Sequence, residues 1–321
     1  MQNISPICAF DISPGGKALA CAEPNPPLVR PENGGYRWVH FDISEPGVEG
    51  WLHSQLPLTV AKALLQSETR PRCHTHEDGL LLNLRGVNLN PGADPEDMVS
   101  LRFWVADGLI VTTRVRKVWA ADAIREKMVQ GRGPATVAAF LAEITHALTK
   151  RIEQVSLELE EETDALEEHM IDRFDGLSPK VAPIRQSVIK LRRFVGPQRE
   201  ALNRLANDEI ALITLAARHL LRETSNRAMR TVEELDATRE RLAAIQDHLD
   251  VQHTIAMTRT SYILSVVATV FLPLGFVTGL FGVNLGGMPG VAFSYAFLIL
   301  AGACILFGLG LYLVFRWKKW L

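Results

Sequence analysis

The chain has 321 residues, with 34 Lys and Arg against 36 Asp and Glu and a formal net charge of −2. No basic face dominates, which argues against a nucleic-acid binder, and four scattered cysteines without a Cys-x-x-Cys pair exclude a disulfide framework or a cysteine-rich zinc finger. Charged residues are dense from Arg72 to Arg259 and absent from Thr260 to Phe315, a stretch too long to serve as a globular surface. The first residues, MQNISPICAFDISPGG, lack a basic stretch followed by an apolar run, so no cleaved signal peptide is expected and the polar part is read as cytoplasmic.

Residues 1–132 read as a mixed α/β domain. Strands are expected at Ile7–Asp11, Tyr36–Phe41 and Leu80–Leu84. The clearest signal is a hairpin: Leu101, Phe103 and Val105 alternate with Ser100, Arg102 and Trp104, Asp107-Gly108 makes the turn, and Leu109–Val115 runs back. Short helices are expected at Gly47–His53, Leu58–Leu65 and Asp122–Met128, with loops at Pro24–Pro27 and Pro91–Pro95. Cys73-His74-Thr75-His76-Glu77-Asp78 is the densest run of metal-ligand side chains. It is either a regulatory zinc site or a polar loop, because no second cluster at ligand spacing completes it.

Residues 133–259 form a helical stalk. Ala135–Phe174 is one amphipathic helix, acidic at Glu158, Glu160, Glu161 and Glu162, and ended by Asp175-Gly176-Leu177-Ser178-Pro179. Val181–Ala206 is a second, with a bend expected at Gly196-Pro197. A third begins near Asp208 and meets no Gly or Pro before Pro273. Continued to Phe281, it would be ~110 Å long at ~1.5 Å per residue, and so narrow an apolar stripe needs neighbours to bury it.

Residues 260–281 and 293–315 are each long enough to cross a ~30 Å hydrocarbon layer, whereas a soluble buried hairpin would rarely omit every charge. Residues 282–292 are too rich in Gly and Pro to stay helical. Arg259 precedes the first span, Arg316, Lys318 and Lys319 follow the second in the tail 316–321, and the loop has no basic residue, which places both chain ends in the cytoplasm and the loop outside. Trp317 and Trp320 suit the headgroup belt.

A cytoplasmic α/β domain, long helices entering the membrane, two C-terminal spans and Gly282-Val283-Asn284 between them resemble the CorA-type metal-ion transporters. The family pattern there is Gly-Met-Asn. Val283, the uncharged Leu285-Gly286-Gly287-Met288-Pro289-Gly290, and the run from Leu84-Arg85-Gly86-Val87-Asn88-Leu89-Asn90 to Pro95-Glu96-Asp97-Met98 resemble its zinc-transporting ZntB branch. The second Gly-Val-Asn, at Gly86–Asn88, reads as structural.

The resemblance implies a CorA-like funnel of five copies whose first spans line a central pore in the bacterial inner membrane and move Zn2+ and other divalent transition metals. Two helices cannot enclose an aqueous path, so the residues independently require a homo-oligomer, without fixing its number. A stripe at spacings of three and four runs through Asp247, Asp250, Thr254, Met257, Ser261, Leu264, Ala268, Leu272 and Gly275. It is either the pore face, which the family phase favours, or a lipid face. Gly275 and Gly279 form a small-xxx-small pair that permits close helix contact. Asn284 is either an amide ring at the outer mouth or a helix cap. Asp247 and Asp250 would form acidic rings at the cytoplasmic mouth, with His248 and His253 flanking them as proton-responsive groups or plain solvated residues. The first span has no His, Cys, Glu or Asp, so the ion is expected to cross hydrated with modest selectivity; the resemblance allows proton coupling, which the residues neither support nor exclude, since that span offers no obvious carrier. No resident cofactor and no enzymatic motif are expected. The rival readings are a magnesium or cobalt transporter of the same architecture and a membrane-anchored sensor.

Overall fold

The computed structural model is a seven-stranded α/β region followed by long helices. It describes residues 4–23, 25–67, 69–76, 79–172, 178–208, 210–283, 290 and 293–318. Seven strands, β1 (Cys8–Ile12), β2 (Ala18–Ala20), β3 (Tyr36–Asp42), β4 (Arg72–His76), β5 (Gly79–Gly86), β6 (Val99–Ala106) and β7 (Leu109–Arg114), form one sheet in the order β2-β1-β3-β7-β6-β5-β4. Every neighbouring pair is antiparallel except β3 with β7. Between β3 and β4 run α1 (Val48–Gln55) and α2 (Leu58–Leu65), and α3 (Trp119–Val129) follows β7.

The sheet buries both faces. Val39, Phe41 and Val111 pack with Leu52 of α1 and Val60 and Leu64 of α2. On the other side Trp38, Leu82, Leu84 and Phe103 pack against Ile124 of α3 and against the long helices α4 (Val137–Asp172) and α5 (Ser178–Asn207) through Phe140, Leu141, Leu202 and Leu205. That two-sided burial extends to polar positions of the strands: Asn83 of β5 and Arg102 of β6 are buried as well. The expected turn at Asp107-Gly108 is present. Gly108 has φ +69°, and a Cβ there would lie 2.3 Å from Arg30 Cγ, whose guanidinium pairs with Asp107 at 2.9 Å.

Three elements depart from the sequence reading. Arg72–His76 is an edge strand, held by β5 although its own residues do not alternate in polarity. Ala18–Ala20 adds a strand too short to show any period. The last stalk helix, α6 (Leu215–Gly282), starts seven residues later than expected. Ile210 and Ile213 turn into the core instead of continuing a helix, and Thr214 Oγ1 accepts the Ala217 N–H as a cap at 3.4 Å. α5 continues through Gly196-Pro197.

The chain divides into two compact units, residues 1–246 and 247–321. Within the first, the long helices are tied by ion pairs. Arg227 of α6 binds Glu153 of α4, Arg241 binds Glu167 and Asp164, and Arg192 of α5 binds Asp236 of α6 at 2.9 Å. A constant 74-residue offset between Glu153 and Arg227 and between Glu167 and Arg241 shows that α4 and α6 run parallel. Burial and an Arg241 hydrogen bond act oppositely on Glu167. The hydrogen bond wins and holds its carboxyl below the usual range.

Candidate ion-conducting face

The second unit consists of the end of α6 and α7 (Ala296–Trp317). Both helices are long and apolar enough to cross a bilayer, and the apolar windows are not buried within the protein. They meet along two rows. From Tyr262 onward the half-buried residues of α6 are Tyr262, Val266, Val270, Leu274 and Val277; on α7 they are Ala296, Leu300, Ala301, Gly302, Cys304, Gly308 and Leu311, ending at buried Phe315. Both rows repeat mainly every four residues, the ridge that packs into the matching groove of a neighbour. A 220 Å³ apolar cavity between Pro273, Leu274 and Val277 and Ala303, Cys304 and Phe307 lies on this seam.

The stripe picked out in the sequence lies elsewhere on α6. Ser261, Leu264, Ala268, Leu272 and Gly275 are all exposed. At about 100° per residue, their centre falls roughly 180° around the helix from the row that meets α7. Cβ atoms built at Gly275, Gly279 and Gly282 meet nothing within 4 Å, so α7 does not use the small-residue pair. One face of α6 thus packs on α7, and the opposite face, small and hydroxyl-bearing in part, stays open. Asp247, Asp250, Thr254 and Met257 continue that open face and are exposed, with Thr254 Oγ1 donating to the Asp250 carbonyl at 2.8 Å. His253 is exposed beside this line, whereas His248 lies on the other side of the helix, so the two histidines do not flank the aspartates together. Gly282 ends α6 and Val283 follows it, exposed. Asn284 and the rest of the loop motif through Pro289 lie outside the described residues.

Residues 33–319 match the model of the CorA-like Mg2+ transporter protein family. The chain belongs to that family. It is 34% identical over 286 residues to the zinc transport protein ZntB of Yersinia enterocolitica, covering 88% of each chain. It is 35% identical over 294 residues to the divalent cation transporter CmaX of Pseudomonas aeruginosa, covering 88% of this chain and 87% of the other. The structure of full-length CmaX matches with a TM-score of 0.83 at 31% identity, covering 100% of this chain and 99% of that one. The CorA magnesium transporter of Methanocaldococcus jannaschii shares the fold at a TM-score of 0.78 and 17% identity.

Against the family background the cysteine–histidine run in the first unit has a different place. Strand alternation along β4 turns Cys73 into the core and His74 and His76 to the opposite face. Burial pushes the Cys73 thiol up to about 12, which leaves it a protonated, inert core group. His76 Nε2 lies 2.9 Å from Thr59 Oγ1, and its ring meets Trp104 edge-on at 6.3 Å. The three residues therefore do not converge on one point, and Glu77 and Asp78 lie outside the described residues. Among the described residues no group of three or more His, Cys, Asp or Glu is placed to hold a metal. The seam on α6 is what the sequence reading did not separate. Its signal is the row of bulky residues at four-residue steps, opposite the smaller ones.

Proposed function

We propose that this chain is a zinc transporter of the bacterial inner membrane, built as a homo-oligomeric ring, five copies in number, with both chain ends in the cytoplasm. The observation that carries the reading is the division of α6 into two opposed faces. Once α7 occupies one, the other is free to meet the same face of further copies around an axis. The ZntB and CmaX relatives support a divalent metal as cargo, and the carboxylate-free loop favours zinc over magnesium.

The path then starts at rings of Asp247 and Asp250, which concentrate cations at the cytoplasmic mouth, and passes Met257, Ser261, Leu264, Ala268, Leu272 and Gly275 to Asn284. With no thiolate, imidazole or carboxylate along the stripe from Ser261 to Gly275, the ion keeps its water and is guided by hydroxyl, amide and carbonyl oxygens. Selectivity is therefore modest, and cobalt, nickel and cadmium compete with zinc. The test is isotopic zinc flux into liposomes carrying the purified chain, with and without a pH gradient. Vesicles impermeable to every divalent ion would end the transport reading, and absolute zinc preference would end the hydrated-ion model.

A further inference from the structure

The three long helices of the first unit segregate charge in a way that its internal ion pairs do not use up. From Ile152 to Asp172 α4 carries only acidic charges, and from Ser178 to Arg199 α5 carries only basic ones. Some of these charges are paired within the chain: Glu153, Asp164 and Glu167 with arginines of α6, Arg192 with Asp236, and Lys190 with Asp97. Others point outward. On α4 the exposed line runs Leu157, Glu158, Glu161, Glu162 and Glu168; on α5 it runs Arg185, Ile189 and Arg193. Among the described residues, none of these charged side chains has an ion-pair partner within 4 Å. Each line also carries one large apolar side chain in the open, Leu157 at 55% and Ile189 at 47% exposure.

The two lines are also level with each other. A cavity at the α4–α5 tip is lined by Glu162, Leu166 and His169 from one helix and by Pro179, Pro183 and Ile184 from the other, which fixes the antiparallel register. Buried Ile152, Leu159 and Leu166 then stand opposite buried Val195, Val188 and Val181 at heptad steps. In the same register Leu157 lies at the height of Ile189, and Glu161 and Glu162 at that of Arg185. Faces that are level along a bundle can meet in neighbouring copies related by rotation about an axis parallel to it. A face meeting a different face head-to-tail is the contact such a ring repeats.

We propose that the outer face of α4 docks on the outer face of α5 of the adjacent copy, with Leu157 against Ile189 and the Glu158–Glu162 run against Arg185 and Arg193. This rests on the ring assembly argued above and names a surface that closes it outside the membrane. The apolar pair supplies desolvated contact, and the charges select the neighbour and set the register.

The experiment uses the full-length chain purified as its assembly. Leu157→Cys and Ile189→Cys are placed in separate chains with different tags, and each is expressed alone and with the other. After oxidation, a band at twice the chain mass is expected from the co-expressed pair, above the background of the unsubstituted chain, and from neither variant alone. Arg185→Glu with Arg193→Glu, added to the Ile189→Cys chain, abolishes the band, and Glu161→Arg with Glu162→Arg in the Leu157→Cys chain restores it. An assembled particle with no mixed cross-link overturns the docking and leaves the ring standing, whereas a monomeric particle overturns both. Self-cross-linking of either variant, or a band indifferent to charge reversal, also overturns it.

Discussion

Glu160 of α4 and Glu234 of α6 stand opposed in a series whose neighbours are ion pairs. Arg227 meets Glu153 and Arg241 meets Glu167, each pair 74 residues apart and the pairs one double heptad from each other. Glu160 and Glu234, at the same offset midway, are two acids. Burial first, then Glu160 and Glu153, raise the Glu234 carboxyl above its ordinary range, while Arg230 opposes them and Glu233 adds to them.

Replacing Glu234 with Arg completes the series. The site is largely open to solvent, so the gain expected is within the ~0.2–1 kcal/mol of exposed pairs, read as a raised midpoint in thermal unfolding of the solubilised chain. The pH sign follows from the raised value. A carboxyl titrating higher in the folded than in the unfolded chain contributes most below its unfolded value, and that contribution is lost as pH rises through the folded value. Glu234→Gln should therefore be the more stable chain at neutral pH, with its advantage shrinking on acidification. An advantage constant with pH would rule out the opposed-acid account.

Arg241→Ala and Arg227→Ala each remove one end of the series. About a third of the Arg241 side chain and more of its acidic partners are exposed, so each change is expected to cost about 0.5–1 kcal/mol. The two sites are ~21 Å apart along α6, so their costs should add within about 0.5 kcal/mol. Strong coupling in the double variant would mean that the helices unzip as a unit.

A buried network in the sheet makes a sharper prediction. Trp38 Nε1 donates to Thr112 Oγ1 at 2.8 Å, and His40 Nδ1 lies 2.8 Å from the same hydroxyl. Thr112→Val would strand two buried nitrogens, at roughly 1–3 kcal/mol each. Burial, reinforced by the positive Arg114, lowers the His40 imidazole to about 3. Its folded value lies below its unfolded one, so its contribution is complete above the unfolded value and is lost as pH falls towards 3. The limiting slope is about 1.4 kcal/mol per pH unit. His40→Gln should flatten stability against pH between roughly 6.5 and 4; an unchanged slope would remove His40 from the acid response.

What could be read beforehand follows from where the physics is local. The two long apolar helices were legible because a charge-free run of that length has few other uses, and the β6–β7 hairpin because Asp107-Gly108 supplies its own turn. Arg72–His76 was not, since its strand conformation comes from β5 rather than from its own side chains. The start of α6 was misplaced because Ile210 and Ile213 fit a helical period while packing as a turn. The site itself was half legible. Spacing marks out Ser261–Gly275 as one face, but a helix in lipid is apolar all round, so only its seam with α7 shows which face remains open.

That seam separates the pore reading from the lipid reading of the same stripe. Leu272 is 73% exposed on the open face, while Val270 is half-buried against α7. A thiol at 272 in a water-filled pore would ionise and react with a charged thiol reagent; a thiol facing lipid or packed in the seam would stay protonated and unreactive. Leu272→Cys in liposomes should therefore lose zinc flux on treatment with a cationic methanethiosulfonate, and Val270→Cys should keep it. Protection of Leu272→Cys by excess divalent ion would place the reacting group on the ion's own route. If both variants ignored the reagent, the open face of α6 would be a lipid surface, and the conduction path would have to be sought away from Leu272.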